Sequence, residues 1–244
     1  MSTMKNRKFK YEDANGCGII SLRICDMTTS YTDEDLERVF SKEELKNYHN
    51  RKNNKRKKEL FWSRKMAKAA IYDINKEIKE MPKIHIGKGQ FGQPIVKEGQ
   101  RAYQVSITHC SNYAAAIAFP EEMMIGLDME KVEHKEQIGI EDILTDREKS
   151  LIPALLNKEI FALIMWTAKE ALGKFLRLGL TMNFDILQIV DVRPTEDGYQ
   201  SEFRFFPGLI AYTTVADDIV YTLVYSKSIT LKEEVNQTIL HLKT

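Results

Sequence analysis

The pattern of hydrophobic and polar positions predicts a chain that mixes helices and strands. Apolar residues recur at helical spacing from Asp33 to about Ile78, and two helices are predicted there. The same spacing predicts a long helix from Glu159 to Leu178, which Gly179 is expected to end. A strand-like run predicts a strand at 103–108, small apolar residues favour a second strand at 113–119, and 124–130 is predicted as a third. Short runs of alternating β-branched and aromatic residues predict an antiparallel sheet across 185–226.

Capping residues mark three helix starts. Thr32 is the expected N-cap of the first helix, and Ser41 followed by Glu44 predicts a capping box at the start of the second. Thr145 followed by Glu148 predicts another capping box farther along the chain. A helix is therefore expected to begin directly after each of these N-caps.

Helix and strand signals occur twice along the chain, on either side of a point near Phe119. We therefore expect two halves of similar length, 1–118 and 119–244. The segment 87–99 combines glycines, Pro94 and polar residues, so a loop with turns is predicted there rather than a regular element.

Composition restricts the class of protein. The 244 residues are 43% hydrophobic, which is enough for a sizeable core, and 36 Lys and Arg against 35 Asp and Glu leave almost no net charge. Net charge therefore predicts neither a nucleic-acid binder nor a membrane-surface binder. The three cysteines have no metal-site or disulfide spacing, and no export signal or membrane span is recognised, so a cytoplasmic protein is expected.

A local excess of positive charge lies at 51–58, where six of eight residues are lysine or arginine. Such a run is usually a solvated helix face, and a nucleic-acid-binding helix is a second interpretation. The nucleic-acid interpretation leaves the carboxylate pair Asp128 and Glu130 without a role, and the run is not interleaved with aromatic residues as in a stacking platform. No nucleic-acid partner is therefore expected.

Two carboxylates lie two residues apart in a predicted strand. Asp128 and Glu130 point to one face, while Leu127 and Met129 point to the other. Their repulsion could be relieved by a divalent cation, since magnesium takes one or two protein carboxylates together with phosphate oxygens. The alternative is a solvated edge strand, where acidic pairs are common.

Two further signals are weak in isolation. Trp166, Glu170 and Lys174 fall on one stripe of a predicted helix, which also describes an ordinary Glu–Lys pair beside a core tryptophan. His109 follows a predicted strand among small polar residues, where it could contact a phosphate, but a single histidine is more often structural.

The order of these signals resembles the Sfp-type 4′-phosphopantetheinyl transferase family. Residues 89–94 look like the family's loop ending in Gly-Lys-Pro, and 105–110 look like its Asn-Ile-Ser-His-Ser segment. Residues 125–130 match Gly-x-Asp-x-Glu, and 166–171 with Lys174 match Trp-x-x-Lys-Glu-Ala-x-x-Lys. The last two are the specific motifs.

The resemblance implies an enzyme, a holo-[acyl-carrier-protein] synthase or 4′-phosphopantetheinyl transferase. It would move the 4′-phosphopantetheine group of coenzyme A to a serine of an apo acyl- or peptidyl-carrier protein and release 3′,5′-ADP. Asp128, Glu130 and Glu170 would bind Mg²⁺ at the pyrophosphate, Lys174 would neutralise pyrophosphate charge, and Lys169 would support the site.

The resemblance also assigns a candidate base and a nucleotide site. Glu148 would take the proton of the carrier serine. Thr108 and His109 would contact the 3′-phosphate of coenzyme A. Basic side chains would lie nearby: Lys88, Arg51 and Arg64.

Three residues depart from the family pattern. Gln93 replaces a lysine, Thr108 replaces a serine and keeps the hydroxyl, and Cys110 replaces a second serine. Loss of the lysine would weaken coenzyme A binding unless Lys88 or Lys97 compensates. A protein of the same fold that binds coenzyme A or a carrier protein without turnover is therefore the alternative function.

The implied fold is a pseudo-two-fold α+β arrangement. Two similar halves, each with a small sheet and packed helices, would pack face to face with the active site in the cleft between them. The first half would contact the nucleotide, and the second would hold the metal-binding and catalytic residues. A monomer without a membrane partner is expected.

Overall fold

A computed structural model describes residues 4–14, 16–75, 77–97, 103–132, 144–151, 157–178, 183–216 and 218–232. The chain divides into two compact units. One contains Met1–Tyr11 and Cys17–Met124, and the other contains Glu12–Gly16 and Ile125–Thr244. The predicted functional boundary between residues 118 and 119 stays a prediction.

The first unit contains a sheet, three helices and a small hairpin. Its elements are β1 (Met4–Asp13), β2 (Gly16–Asp26), α1 (Asp33–Val39), α2 (Lys42–His49), α3 (Asn54–Ile74), a 3₁₀ helix (Met81–Lys83), β3 (His85–Lys88), β4 (Pro94–Lys97), β5 (Tyr103–Cys110) and β6 (Tyr113–Pro120). Strand β6 pairs antiparallel with β2 and β5, while β3 and β4 form a separate hairpin. Helix α3 covers β6 and β5, and it buries Phe61, Trp62, Met66 and Ile71 in the core.

The second unit contains a sheet covered by one long helix. Its elements are β7 (Gly126–Lys131), α4 (Asp146–Lys149), α5 (Lys158–Phe175), a 3₁₀ helix (Phe184–Leu187), β8 (Ile189–Thr195), β9 (Gly198–Phe203), β10 (Leu209–Ala216), β11 (Ile219–Ser226) and β12 (Thr230–Lys232). The five-stranded sheet has the order β7-β11-β10-β9-β8. Helix α5 packs on β7 and β11, and it buries Phe161, Met165, Ala168 and Leu172.

The two units repeat one structural motif. In each, a strand is followed by a helix with a capping box and then by a long helix with a buried lysine. Glu44 of the α2 capping box accepts a 2.5 Å bond from Lys68 on α3, and Glu148 of the α4 capping box accepts a 2.9 Å bond from Lys169 on α5. The predicted fold class, α+β with two similar halves, is confirmed.

The structure corrects several predicted elements. The region from Asp33 contains three helices rather than two. The predicted loop at 87–99 is wrong for 87–88 and 94–97, because Gly87 pairs with Ile95 across a β-hairpin whose turn lies between these strands. Residues 98–99 lie outside the described residues. Helix α5 ends at Phe175, and Arg177 takes the left-handed conformation after it (φ 58°); Gly179 lies outside the described residues. No element is predicted from the sequence at 4–26, where β1 and β2 lie.

The predicted N-cap Thr32 and the two predicted capping boxes are confirmed. The side chains of Thr32, Ser41 and Thr145 each accept from the backbone N–H three residues later, and the carboxylate at that position binds back to the cap. None of the helices in the described segments is long and apolar enough to cross a membrane.

Candidate functional site

Asp128 lies in β7, at the edge of the second sheet. Its residue is only 3% exposed, because α5 packs over this strand. Leu127 and Met129 are also buried, while Glu130 is half-buried. The alternative of a solvated edge strand is therefore wrong for Asp128.

Gly126 permits the close approach of α5 to β7. A Cβ atom at this position would lie 1.8 Å from the carbonyl oxygen of Ala171 and 2.9 Å from the backbone nitrogen of Phe175. Only a residue without a side chain fits there, since the obstructing atoms belong to the helix backbone. The glycine of the Gly-x-Asp-x-Glu motif therefore brings Glu170 and Lys174 to the strand that carries Asp128.

Replacing Gly126 with alanine is expected to destabilise the protein by at least about 3 kcal/mol, since overpacking against backbone cannot be relieved by a rotamer change. Urea unfolding measures the effect. Gly208→Ala is the matched control, because nothing lies within 4 Å of a Cβ at that position. Equal stability of the two variants would contradict the close approach.

Lys174 binds Asp128 rather than Glu170. Its Nζ donates to Asp128 Oδ1 at 2.6 Å, and the two side chains are 26% and 5% exposed. No ion pair within 4 Å joins Lys174 to Glu170 in the described chain. The alternative of an ordinary helix-surface Glu–Lys pair is therefore wrong.

Among the described residues, no lysine or arginine forms an ion pair within 4 Å of Glu170. Its Oε1 atom is buried and makes no hydrogen bond to any described residue. The pKa of Glu170 is raised from 4.5 to about 7: burial is the largest cause and the charge of Asp128 the next, while Lys174 lowers this pKa and Glu130 adds a smaller increase. These three carboxylates therefore share one electrostatic environment.

Trp166 begins the same helical stripe but is not a core residue. It is half-buried, and its ring stacks on Phe184 with centroids 5.6 Å apart. The stacking fixes the segment after α5 against the helix.

The carboxylates provide the right chemistry for a magnesium ion but not a closed ligand set. Their oxygens are the hard ligands that Mg²⁺ prefers, and no described residue donates to the buried Oε1 of Glu170. However, no group of three His, Cys, Asp or Glu side chains in the described residues is arranged to hold a metal. The ammonium of Lys174 instead donates a hydrogen bond to Asp128.

Glu148 and Lys169 form a buried structural pair. Both side chains are 0% exposed, and Lys169 Nζ lies 2.8 and 2.9 Å from the two carboxylate oxygens. Glu148 also accepts from the N–H and hydroxyl of Thr145 and from the N–H of Ile189. A carboxylate so enclosed cannot reach a carrier serine, so the prediction that Glu148 is the base is not kept, and Lys169 is its counter-ion.

A cavity of about 430 Å³ in the first unit gathers four of the five predicted nucleotide-binding residues. They are Arg51, Arg64, Lys88 and His109. Burial lowers the pKa of Arg64, and the nearby carboxylate of Glu44 opposes this shift. The cavity is strongly basic, because Glu59 is the one acidic residue among its described lining residues.

Arg56 also lines this cavity and is missing from the predicted set. Arg56, Leu60 and Arg64 lie at i, i+4 and i+8 on α3, so they share one helix face. That spacing within the basic run is the signal that could have identified Arg56.

Thr108 is not brought to the cavity. Its neighbours Ile107 and His109 line the cavity, whereas Thr108 points to the opposite face of β5 and is 4% exposed. The predicted contact of its hydroxyl with a phosphate in this cavity is therefore not supported.

Gln93 has a role within the β3–β4 turn. Its side-chain Oε1 accepts from the N–H of Phe91 at 3.0 Å, and Gly92 takes a positive φ of 84°. Lys88 extends past Gly92, with its Cε 3.3 Å from the position of a Cβ there. Lys88 thus supplies a cation to the cavity at the turn where the family pattern has a lysine in place of Gln93.

A second cavity of about 510 Å³ lies beside α2 and the β3–β4 hairpin. Arg51, Arg64 and Lys88 line both cavities, and Lys97 lines only the second. Lys97 is therefore placed on the second cavity rather than beside His109.

Comparison with known proteins identifies part of the chain. Residues 124–220, less than half of the chain, match the model of the 4′-phosphopantetheinyl transferase superfamily. This segment is similar to the 4′-phosphopantetheinyl transferase superfamily. The predicted enzyme class is confirmed at that level, and the Sfp-type subfamily stays a prediction.

The matched segment contains all of the predicted metal-binding and catalytic residues. They are Asp128, Glu130, Glu148, Lys169, Glu170 and Lys174. The nucleotide-binding residues of the first unit lie outside the matched segment.

Two solved structures are each similar to about half of this chain. A holo-(acyl-carrier-protein) synthase from Bacillus anthracis str. Ames in complex with CoA (3′,5′-ADP) is 19% identical; the match covers 46% of this chain and 96% of that one, with a TM-score of 0.37. The holo-[acyl-carrier-protein] synthase (AcpS) of Thermotoga maritima is 14% identical over 49% of this chain and 70% of that one, with a TM-score of 0.35. No curated protein matches the chain.

Proposed function

We propose that this protein transfers the 4′-phosphopantetheine group of coenzyme A to a serine of an apo acyl- or peptidyl-carrier protein, with release of 3′,5′-ADP. The observation that carries the proposal is the convergence of Asp128, Glu170 and Lys174 at β7 and α5, inside the segment that matches the transferase superfamily. The serine hydroxyl attacks the β-phosphate, and the bond from that phosphorus to the leaving nucleotide breaks.

The carboxylates and the lysine serve the pyrophosphate. Asp128, Glu130 and Glu170 would hold Mg²⁺, which when bound stabilises negative charge on phosphate oxygens. Lys174 is half-buried, so its ammonium can contact a phosphate from the solvent side while staying next to the carboxylates. A positioned cation of this kind stabilises charge that develops as the nucleotide leaves.

The basic cavity of the first unit serves the nucleotide. Arg56, Arg64, Lys88 and His109 offer donors for a phosphate group, and the planar guanidinium groups can bind phosphate oxygens in pairs. Leu60, Pro94 and Ile107 add apolar surface to the same cavity, which suits a base or a ribose. The expected ligand portion is the 3′-phosphorylated nucleotide of coenzyme A.

The direct test is the intact mass of an apo-carrier protein after incubation with this protein, coenzyme A and Mg²⁺. A gain of about 340 Da, the mass of one phosphopantetheine group added covalently to serine, is expected in the complete reaction and not with EDTA. If several unrelated apo-carriers stay unmodified while coenzyme A still binds, the binding protein without turnover becomes the better description.

Replacing Arg56 with alanine is expected to weaken the binding of 3′,5′-ADP by roughly tenfold, because a charge-assisted bond to phosphate is lost. Isothermal titration calorimetry at two salt concentrations measures the effect, and a smaller salt dependence is expected as well. Lys55→Ala is the matched control. Lys55 is also an exposed cation in the first turn of α3, but it lines neither cavity.

A lysine control that weakens binding as much as the arginine variant would contradict the cavity assignment. It would indicate that the general positive charge of 51–58, rather than contact in the cavity, attracts the nucleotide.

A further inference from the structure

Apolar side chains lie exposed at one corner of the second unit. Ile186, in the 3₁₀ helix after α5, is 42% exposed, and Phe205, between β9 and β10, is 56% exposed. Phe205 is the most exposed large hydrophobic residue in the described part of the chain. Apolar groups that are exposed together on a protein surface mark a contact with another molecule. We call Trp166, Phe184, Ile186 and Phe205 the apolar corner.

Backbone pairing brings Ile186 and Phe205 together. The N–H of Arg204 donates to the carbonyl of Gln188 at 2.9 Å, which extends the pairing of β8 with β9 by one step. Ile186 precedes Gln188 by two residues, and Phe205 directly follows Arg204. Regular strand pairing therefore builds the corner.

The side chains of the corner are held in place. The guanidinium of Arg204 donates to Gln188 Oε1 at 2.8 Å, and its central carbon lies 5.5 Å from the centre of the Phe205 ring. A cation over an aromatic face is an attractive contact. Phe184 stacks on Trp166 with centroids 5.6 Å apart. An ordered surface loses little conformational entropy when a partner covers it, so these contacts favour binding.

The apolar corner borders the candidate active site. Trp166 and Glu170 lie four residues apart on α5, so they are neighbours on one helix face, about 6 Å apart along the axis. A row of side chains thus runs from Glu170 through Trp166 and Phe184 to the exposed part of the corner. The whole row lies within 124–220, the segment that matches the transferase superfamily.

The occupant follows from what the proposed reaction must bring to this place. Coenzyme A is held at its phosphates, whereas a carrier protein delivers one serine hydroxyl while the rest of its folded body covers the surface around that serine. A protein whose serine reaches Glu170 therefore also covers the surface that starts at Trp166, one helical turn away.

The charges at the corner favour an acidic group on the partner. Arg204 is exposed, and no acidic residue pairs with it within 4 Å in the described chain. Its guanidinium lies against the Phe205 ring, so an acidic group of the partner would meet it directly beside the apolar contact. Asp185, the exposed acidic residue of the 3₁₀ helix, opposes such a partner.

We propose that the apolar corner is the docking surface for the carrier protein. This inference rests on the proposed function, because the occupant is the protein substrate of that reaction. Apolar side chains of the carrier cover Ile186 and Phe205, an acidic side chain meets Arg204, and the serine points toward Glu170. The corner thus selects the protein substrate and leaves the binding of coenzyme A to other residues.

The test measures binding of fluorescein-labelled apo acyl- and peptidyl-carrier proteins whose acceptor serine is replaced by alanine, so that binding is observed without transfer. Fluorescence anisotropy with the full-length protein is expected to show about tenfold weaker binding for Phe205→Ser, because an aromatic anchor is lost. Ile186→Ser is expected to weaken binding as well. The affinity for 3′,5′-ADP is expected to stay within about twofold for both variants, since neither residue lines a basic cavity.

Tyr72→Ser is the matched control. Tyr72 is 41% exposed on α3 and lies outside the matched segment, so its loss is expected to leave carrier affinity within about twofold. Two further variants test the charges. Arg204→Gln is expected to weaken carrier binding about threefold and to reduce its salt dependence, and Asp185→Asn is expected to tighten it about twofold.

The outcomes separate this inference from the proposed function. Unchanged carrier binding by Phe205→Ser and Ile186→Ser would overturn the docking surface, while transfer by the wild type would leave the proposed function standing. If Phe205→Ser instead separates a wild-type dimer in sedimentation without affecting carrier binding, the corner joins two copies of this chain and the inference is wrong. If the wild type binds a carrier through the corner but modifies none, only the proposed function fails; if it neither binds nor modifies any carrier, both fail.

Discussion

Replacing Glu170 with glutamine is expected to abolish phosphopantetheine transfer and, at the same time, to stabilise the metal-free protein above neutral pH. Both effects have one cause, the partly buried carboxylate beside Asp128 and Glu130. Its pKa is raised from 4.5 to about 7, first by burial and then by its two negative neighbours. Glutamine has nearly the same shape but carries no charge.

The direction of the stability effect follows from proton binding. Between about pH 4.5 and pH 7, the folded state keeps a proton on Glu170 that the unfolded state has released, so stability falls as pH rises through this window. Above pH 7 the folded protein carries the full free-energy cost of an ionised, partly buried Glu170. Glu170→Gln removes this penalty, with an expected gain of about 1–2 kcal/mol at pH 8 after allowance for solvent screening of a partly exposed group, and almost none at pH 4.

Urea unfolding in EDTA at pH 4 and pH 8 measures this difference. A gain of equal size at both values would indicate a packing effect rather than removal of a charge. Excess Mg²⁺ is expected to stabilise the wild type and not the variant, because only the wild type offers the third carboxylate.

The transfer rate is expected to fall by more than about a thousandfold in the same variant, since a ligand of the charge-stabilising ion is lost. The increase in carrier-protein mass measures this rate. Glu159→Gln is the matched control on the same helix. Glu159 is exposed in the first turn of α5, so this variant is expected to keep its rate and to lose only a small helix-dipole contribution.

Local chemistry made part of the fold predictable from the sequence. A capping box needs only four consecutive residues, so Ser41 with Glu44 and Thr145 with Glu148 could be identified without knowledge of the rest of the chain. The β3–β4 hairpin was not predictable in this way, because its strands are four residues long and its glycines suggested a loop. Its stability depends on pairing between segments.

The site was predictable as a set of residues but not as a set of contacts. Spacing on one helix favours a pair between Glu170 and Lys174, whereas the close approach at Gly126 brings a different partner, Asp128, to the lysine. The partner of Lys174 depends on the distance between β7 and α5, and helix periodicity gives no information about that distance. Strand alternation, in contrast, could have separated Thr108 from His109, since adjacent strand residues face opposite sides.

Glu148 and Lys169 are a second case in which the residues were predictable from the sequence but their contacts were not. Their residue types suggested catalysis, but the capping box already placed Glu148 at the first turn of a helix. The equivalent pair in the first unit, Glu44 and Lys68, is also buried, although it lies outside the transferase motifs. A feature present in both units is better explained by a shared structural role than by a chemical step in one of them.

Replacing Lys169 with methionine is accordingly expected to destabilise the protein by about 3–5 kcal/mol, because Glu148 is left buried without its counter-charge. The double variant Glu148→Gln with Lys169→Met is expected to be more stable than Lys169→Met alone by more than about 1 kcal/mol, since no uncompensated charge remains. Urea unfolding measures both. Arg38→Met, which breaks an exposed pair with Glu34, is the control and is expected to change stability by less than about 0.5 kcal/mol.

Activity of the double variant separates a structural role from a catalytic one. A buried counter-ion pair affects transfer only through the folded fraction, so the rate per folded molecule is expected to stay within about tenfold of the wild type, whereas loss of a general base removes roughly a hundredfold or more. The pH profile adds a second readout. If Glu148 takes the serine proton, the acidic limb of the profile disappears in the double variant; if it holds α4 to Lys169 and Ile189, the limb remains.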